Sequence, residues 1–127
     1  MRNSTAIMKR LCAMLLLVFP AFGAQPKCKG NPKVVDACYT VHGRLNLGAD
    51  TVRVRLWSVG TKRMLGIAGG PLINDAEDPI YPASLKFTSD TEAIYGDFEV
   101  CPFTHEKPGA MQLVCIESAS HVVVKRP

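Results

Sequence analysis

The stretch CYTVHGRLNLGADTVRVRLW, Cys38 to Trp57, decides the fold class of this 127-residue chain. Apolar side chains recur at alternate positions from Tyr39 to Leu47 and again from Val52 to Leu56. This alternation is typical of two half-buried strands. Both apolar sets lie on one side of a hairpin only when odd positions of the first strand pair with even positions of the second. We therefore expect a loop with an even number of residues, such as Gly48-Ala49.

The strand pattern continues beyond this hairpin. Gly60-Thr61 suits a type II′ turn that places Leu56 opposite Leu65, so the first three strands form an antiparallel meander. Gly and Pro residues then interrupt the chain from about 69 to 84, which predicts a long irregular loop with at most a short helical turn near 72–77. Strand character resumes in four later segments: Leu85–Thr88, Ile94–Pro102, Met111–Ser118 and His121–Lys125.

These elements predict a single all-β domain over residues 24–127. Six or seven short strands separated by turn signals are typical of a small antiparallel β-sandwich or a partly open barrel. No internal repeat or low-complexity tract divides the chain. A domain of about 100 residues can form an apolar core, but it lies in the size range where disulfides add useful stability.

Residues 1–23 have the three parts of a secretory signal peptide. Basic residues come first, Leu11–Phe19 is continuously apolar, and Ala21-Phe22-Gly23 provides small residues for cleavage. The apolar run is about half as long as the roughly 20 residues that a membrane-spanning helix needs, and no later segment is longer. We therefore expect an exported protein, periplasmic or extracellular, with no membrane span after signal removal.

The charge balance changes when the signal peptide is removed. The whole chain has 15 basic and 11 acidic residues. Three of the basic residues, Arg2, Lys9 and Arg10, belong to the signal peptide, which leaves 12 basic residues against 11 acidic ones. No nucleic-acid partner is expected, because a nearly neutral domain lacks the positive field that attracts a polyanion.

Four cysteines remain after signal removal: Cys28, Cys38, Cys101 and Cys115. An even number of cysteines in an exported chain predicts two disulfides. The Cys-x3-His and Cys-x5-His spacings within CPFTHEKPGAMQLVCIESASH, residues 101–121, also admit a metal site. No pair, however, has the Cys-x2-Cys spacing of structural zinc sites. We interpret the cysteines as disulfide-bonded and expect no metal or other cofactor.

A hairpin with its tip at Lys107-Pro108-Gly109 favours one of the three possible connectivities. Cys101 and Cys115 are equidistant from the central proline, so they face each other across two strands. Their pairing leaves Cys28 to bond with Cys38. The connectivity stays open at this level, because the same register creates one unfavourable like-charge pair, Glu99 opposite Glu117.

The segments VHGRL (41–45) and VRVRLW (52–57) resemble the opening two strands of transthyretin-like or carboxypeptidase-regulatory β-sandwich modules. The likeness spans residues 39–57. Those modules commonly serve as non-catalytic accessory or binding domains, so the resemblance implies a binding role. It transfers no functional residue.

The known sequence motifs of catalysis are missing. The chain contains no G-x-S-x-G, no H-E-x-x-H and no phosphate-binding loop. We interpret Glu92, Asp97 and Glu99 as exposed strand residues rather than as a general acid and base. The acids of the 69–84 loop lack the spacing of an EF-hand. Catalysis is therefore unsupported.

The outward face of the first two strands collects basic side chains and an aromatic ring. Arginine forks suit carboxylate, phosphate or sulfate groups, and a tryptophan ring stacks on a sugar or a guanidinium. The alternative is a solvated strand face whose long stems cover apolar surface. The candidate binding residues are His42, Arg44, Arg53, Arg55 and Trp57, with Lys62 and Arg63 near the next turn.

This face predicts a non-catalytic binding or accessory domain that recognises an anionic surface, either an acidic protein patch or an envelope glycan. The alternative is a secreted hydrolase, or a protein inhibitor of one that uses the projecting loop His105–Gly109. A binder is distinguished by association that weakens with salt and proceeds without turnover. The oligomeric state is not specified by the sequence.

Overall fold

Five β-strands make up the described part of the domain. They are β1 (Tyr39–Leu47), β2 (Val54–Ser58), β3 (Met64–Ile67), β4 (Ala93–Pro102) and β5 (Gln112–Lys125). The computed structural model describes residues 27–74 and 78–126, so the predicted signal peptide and part of the optional turn near 72–77 lie outside the described residues. The strands close into a barrel in the order β1-β2-β3-β5-β4.

The prediction of an all-β domain is confirmed, but the number and arrangement of the strands differ from it. Five strands replace the expected six or seven within residues 27–74 and 78–126, and a closed barrel replaces the sandwich or partly open barrel. Leu85–Thr88 forms no strand, because Leu85 closes a turn with Pro82 and is buried against the barrel core. One long strand, β5, takes the place of two predicted strands, Met111–Ser118 and His121–Lys125, since β4 pairs with β5 as far as Lys125.

The first hairpin has the predicted parity and a longer loop. Leu45 of β1 faces Leu56 of β2, so odd positions pair with even ones. Residues 48–53 connect the strands, and the Gly48 N–H donates to the Arg53 carbonyl across 2.6 Å. The connection therefore has an even number of residues, although it exceeds the expected Gly48-Ala49.

The second hairpin has the predicted register and a different turn. Leu56 faces Leu65, as expected. The type II′ turn at Gly60-Thr61 is wrong, because the Thr61 N–H donates to the Ser58 carbonyl and places Gly60 third in the turn. Gly60 has a φ of 83°, which a type II turn requires at its third position.

β1 closes the barrel by pairing on both of its edges. Gly43 faces Ser58 of β2 on one side and Gly96 of β4 on the other. A Cβ at position 43 would lie 2.6 Å from Leu56 Cδ1, so a larger residue forces Leu56 to move.

β3 runs parallel to β5, in contrast to the expected antiparallel arrangement. This strand order with one parallel pair is the connectivity of the OB-fold, a five-stranded Greek-key barrel.

Alternate residues of each strand fill the barrel interior. This is the arrangement that a period of two encodes, because successive side chains point to opposite faces of a strand. The core consists mainly of branched and aromatic side chains that are nearly inaccessible to water. Its members are Val41, Leu45, Val54, Leu56, Leu65, Ile67, Leu85, Ile94, Phe98, Val100, Val114 and Ile116.

A second apolar cluster lies on the outer side of β4 and β5, and we call it the outer cluster. The N-terminal segment 27–38 covers it, and the Val35 N–H donates to the Pro102 carbonyl across 2.9 Å. Two disulfides join this segment to the barrel. The buried members of the outer cluster are Cys28, Val52, Ala68, Cys101, Phe103, Leu113 and Cys115.

The disulfide connectivity differs from the prediction. Cys28 bonds to Cys115, and Cys38 bonds to Cys101. The predicted pairing of Cys101 with Cys115, and hence of Cys28 with Cys38, is wrong even though Cys101 does face Cys115 across β4 and β5. Both strand cysteines point away from the barrel core, where the segment 27–38 brings each of them its partner. A hairpin register contains no information about that distant segment.

The predicted contact between two glutamates is also avoided. A register shift between Glu99 and Val100 pairs Glu99 with Ser118 instead of Glu117. Such a β-bulge inserts one extra residue into one strand. It removes the like-charge pair that a regular ladder would have created.

Candidate binding site

Four of the five predicted binding residues share the outward side of β1 and β2. Arg44 faces Trp57 in the register of the two strands. His42 lies two positions before Arg44, and Arg55 two positions before Trp57, so each shares its neighbour's face. Arg53 lies before the first residue of β2, in the connection 48–53.

Acidic side chains contact most of the basic residues of the predicted positive patch. Exposed contacts of this kind contribute only about 0–1 kcal/mol of stability, but they engage the basic side chains. Their acidic members come from loops and from β4, so the alternation of β1 and β2 did not reveal them. The pairs are His42–Asp97 at 2.8 Å, Arg53–Asp90 at 2.9 Å and Arg55–Asp50 at 3.4 Å.

Arg44 differs from the other basic residues of the patch. It forms no ion pair and donates no hydrogen bond from its side chain within the described part of the chain, and its Nε is buried without a partner. Its guanidinium carbon lies 5.5 Å from the centre of the Trp57 ring. Tyr95 of β4 faces Arg44 from the other side. The guanidinium thus lies beside the Trp57 ring, with Tyr95 opposite Arg44 in the strand pairing, and its donors have no partner among the described residues.

The arrangement extends across four strands. Lys125 of β5 places its Nζ 5.2 Å from the centre of the Tyr95 ring. Trp57 Nε1 donates to the Thr61 carbonyl across 2.7 Å, which fixes the indole. Aromatic and cationic groups therefore alternate across the four strands, and we call this set the aromatic–cation row. Its members, in strand order, are Trp57, Arg44, Tyr95 and Lys125. Sequence reasoning missed Tyr95 and Lys125; the available signal was the outward position of Tyr95 in the alternation of β4.

The basic residues of the next turn do not join this row. Arg63 Nη2 donates to the Tyr39 hydroxyl oxygen across 3.0 Å and to Gln112 Oε1. Its Nη1 lies 3.7 Å from Glu106 Oε1. Burial raises the pKa of Tyr39 above its ordinary value. Arg63 therefore anchors the β4–β5 loop to the barrel, while Lys62 stays exposed on the turn.

The loop His105–Gly109 is anchored near its base. His105 Nδ1 lies 2.7 Å from Asp36 Oδ2 of the N-terminal segment. Gln112 Nε2 donates to the Thr104 carbonyl across 2.9 Å. The residues of the tip are exposed. A projecting loop on a fixed base is the geometry that the inhibitor alternative requires.

Arg53 lies in a different place from the row. It borders a groove of about 780 Å³ at one end of the barrel. Mouths of β-barrels are common ligand sites, and the mixture of rings, cations and core residues here suits an amphipathic molecule. The groove is lined by Leu47, Asp50, Thr51, Arg53, Val54, Pro79, Tyr81, Leu85, Lys86 and Phe87.

The three acids considered for catalysis are each engaged separately. Glu99 lies 3.4 Å from Lys29 Nζ. Asp97 contacts two imidazoles, those of His42 and His121. Glu92 is only 2% exposed, so its interpretation as an exposed strand residue is wrong. It precedes β4, where its carboxylate accepts a backbone N–H and lies 3.7 Å from an arginine nitrogen.

The cysteine sulfurs are close together without forming a metal site. Those of Cys28, Cys101 and Cys115 lie within 4.8 Å of one another. All three belong to disulfides, and a disulfide sulfur is not the thiolate that zinc coordination requires. The proximity instead reflects the packing of the two disulfides in the outer cluster.

Comparison with known proteins assigns no family. No protein-family model, no curated protein and no solved structure matches the chain. The resemblance to transthyretin-like modules stays a prediction. The described residues include no helix with the length and apolar composition needed to cross a membrane. The two disulfides are consistent with an oxidising, exported environment. Because no known protein matches the chain, its function must be inferred from the site itself.

Proposed function

We propose that the protein is an exported, non-catalytic binding domain that recognises an anionic surface through the aromatic–cation row. The ligand class is a carboxylate- or sulfate-bearing glycan or an acidic protein patch. The observation that carries the proposal is Arg44, whose guanidinium has no acidic partner among the described residues and lies beside the Trp57 ring. Arg55, the other arginine on the outward side of β1 and β2, already has an acidic partner, and His42 contacts Asp97.

The chemistry of the row suits such a ligand. A guanidinium offers a planar fork of donors that matches carboxylate and sulfate oxygens. The neighbouring Trp57 ring restricts that fork, and the rings of Trp57 and Tyr95 present flat surfaces on which a sugar can stack. Because three paired strands hold these side chains, little conformational freedom remains to be lost on binding.

The architecture gives a weaker, independent reason. OB-folds that bind oligosaccharides use the face of strands 2 and 3 with the neighbouring loops, and the row shares β2 with that face before it continues over β1, β4 and β5. Fold alone does not assign a ligand, so this is support by analogy. The near-neutral charge of the chain without residues 1–23 argues against a nucleic acid as the anionic ligand.

The test compares immobilised polygalacturonate, poly-glutamate and neutral amylose as probes for the purified protein. We expect binding to one of the two polyanions, weakening as salt rises, and none to amylose. Arg44→Gln should reduce the affinity about tenfold or more, because a hydrogen bond to a charged group contributes about 1.5–3 kcal/mol.

Arg53→Gln is the matched control, since Arg53 is an exposed arginine with an acidic partner at 2.9 Å. It should leave the affinity within about twofold, as surface changes outside the contact are nearly neutral. Full binding by Arg44→Gln, or equal losses in both variants, contradicts the proposal. Preference for poly-glutamate selects the protein patch, and preference for polygalacturonate selects the glycan.

One observation favours the inhibitor alternative, namely the anchored loop His105–Gly109. A rigid loop loses little conformational entropy when an enzyme binds it. Stoichiometric inhibition of a secreted protease or glycosidase, abolished by Lys107→Ala but unaffected by Arg44→Gln, would establish this function instead. Nothing in the described residues specifically favours the hydrolase.

A further inference from the structure

The groove that Arg53 borders lies at one end of the barrel, between the β1–β2 connection and the β3–β4 connection. The β3–β4 connection runs over residues 68–92 and contains no strand in its described part. Connections longer than about 12–15 residues without regular structure are uncommon in compact domains, and they are usually either functional or disordered. The part that lines the groove lies within residues 79–87 and is fixed to the barrel, which favours a function.

Backbone hydrogen bonds fix the wall that the β3–β4 connection provides. The Ile80 N–H donates to the Ala68 carbonyl across 3.2 Å, and the Ile80 carbonyl accepts from the Ile116 N–H across 3.0 Å. A turn follows, in which the Leu85 N–H donates to the Pro82 carbonyl across 3.0 Å. The turn replaces the strand expected here, and it returns the chain to the barrel where the Leu85 side chain is buried.

The opposite wall, the β1–β2 connection, is held by contacts of its own. The Gly48 N–H donates to the Arg53 carbonyl, which closes the connection at its base. Arg55 Nε donates to the Val52 carbonyl across 2.9 Å, and its Nη2 lies 3.4 Å from Asp50 Oδ2. Because both walls are in place without a ligand, little conformational entropy remains to be lost when a molecule enters the groove.

Apolar side chains line much of the groove. Val54 and Leu85 belong to the barrel core, and Leu47, Tyr81 and Phe87 pack against that core while remaining partly exposed. The groove volume of about 780 Å³ lies within the range of about 300–1,000 Å³ that is common for small-molecule sites. The apolar body of a small molecule can therefore remove both its own surface and that of the groove from water.

The charged residues of the groove favour an anion. Two lining residues are basic, Arg53 and Lys86, and one is acidic, Asp50, which already contacts Arg55. Arg53 donates to Asp90 through Nη2 across 2.9 Å, and a guanidinium has four further N–H groups. Lys86 is exposed, and its ammonium has no ion pair or hydrogen bond within the part of the chain that the structure describes.

We propose that the groove binds an amphipathic carboxylate, whose unbranched alkyl chain lies against the apolar walls and whose carboxylate contacts Lys86 and Arg53. Ammonium and guanidinium donors form charge-assisted hydrogen bonds with a carboxylate and repel a cationic head group. An unbranched chain fits an irregular groove through its rotatable bonds. No member of the aromatic–cation row lines the groove, so this site does not depend on the function proposed for the row.

The experiment is a calorimetric titration of the purified protein with decanoate, below the concentration at which decanoate forms micelles. We expect saturable binding of one molecule per chain. Octanoate, which lacks two methylenes, should bind about tenfold more weakly, because each buried methylene contributes a factor of up to about four. Decyltrimethylammonium has an alkyl chain of the same length and the opposite charge, and it should show no saturable binding at the same concentrations.

Two lysines provide a matched pair of variants. Lys86→Glu should weaken decanoate binding about tenfold or more, because it replaces an attraction to the carboxylate with a repulsion. Lys62→Glu makes the same change at an exposed lysine outside the groove, and it should leave the affinity within about twofold. Neither variant should lower the unfolding temperature appreciably, since exposed substitutions are usually nearly neutral for stability.

Arg44→Gln separates this site from the aromatic–cation row, because it should reduce binding of the polyanions and leave binding of decanoate unchanged. Amide chemical shifts recorded during the decanoate titration locate the site, and we expect the largest changes in residues 50–54 and 79–87. Four results would overturn the proposal: no saturable binding of decanoate, equal affinity for decyltrimethylammonium, equal losses in Lys86→Glu and Lys62→Glu, or shift changes confined to residues outside the groove.

Discussion

Where the end of β4 pairs with the start of β5, both faces of the two strands are buried, but they are stabilised in different ways. On the inner face, Phe98 and Ile116 pack among side chains from all five strands. On the outer face, Cys101, Cys115 and Phe103 are covered by the segment 27–38, which contains no strand. The interior is stabilised by burial distributed over a closed barrel, whereas the outer cluster depends on two covalent links. Strand alternation therefore encodes the interior and leaves the outer cluster to tertiary contacts.

The largest expected effect is the loss of both disulfides on reduction. They span sequence separations of 87 and 63 residues, and the chain-entropy model assigns each about 4 kcal/mol. Because domains of this kind have only about 5–15 kcal/mol of stability, reduction should remove much of it. Urea unfolding followed by Trp57 fluorescence, with and without a phosphine reductant, measures the difference. An unchanged midpoint would show that burial alone holds both faces.

The next effect separates the two faces directly. Phe98→Ala in the interior and Phe103→Ala in the outer cluster should each cost about 3–5 kcal/mol, because both rings are buried. In a Cys28→Ala/Cys115→Ala background, Phe103→Ala should cost clearly less and Phe98→Ala the same. The double-mutant cycle reports this coupling. Equal coupling for both phenylalanines would mean that the faces form one cooperative unit.

A smaller loss of stability is expected when alanine replaces either of two glycines, one in the barrel and one in the segment that covers the outer cluster. Gly43→Ala should cost about 1–3 kcal/mol, since its Cβ meets Leu56 inside the barrel. Gly30→Ala in the N-terminal segment has open space around it, but its φ of 84° should cost about 1–2 kcal/mol. Thermal unfolding measures both. The loss of unfolding free energy caused by Gly43→Ala should be smaller in a Leu56→Val background. The loss caused by Gly30→Ala should be the same in both backgrounds.

The smallest effect concerns the polar contact between the segment 27–38 and the β4–β5 loop. Asp36→Asn weakens the exposed pair with His105 and should cost less than about 1 kcal/mol. Thermal unfolding at low and high salt is the appropriate measurement. A larger cost would indicate that the outer cluster relies on this contact as well as on its disulfides.

Part of the candidate site was predictable and part was not. The outward positions of Arg44 and Trp57 followed from alternation alone, because a strand residue shares its face with residues two positions away. The acidic partners of His42 and Arg53 and the aromatic residue opposite Arg44 were not predictable, since Asp97, Asp90 and Tyr95 lie tens of residues away in sequence. The sequence therefore indicated a positive face, and only long-range pairing identified Arg44 as the cation left without a carboxylate.

The fold, like the candidate site, was predictable in part from the sequence. By itself, the sequence determined the all-β class, the meander of β1, β2 and β3, and the register of Cys101 against Cys115, because these depend on residue alternation and nearby turns. Only the tertiary structure decided the parallel pairing of β3 with β5, the closure of β1 onto β4 and the partners of the four cysteines. Contacts between distant segments depend on how the whole chain packs, and no local pattern specifies which distant segment will supply them.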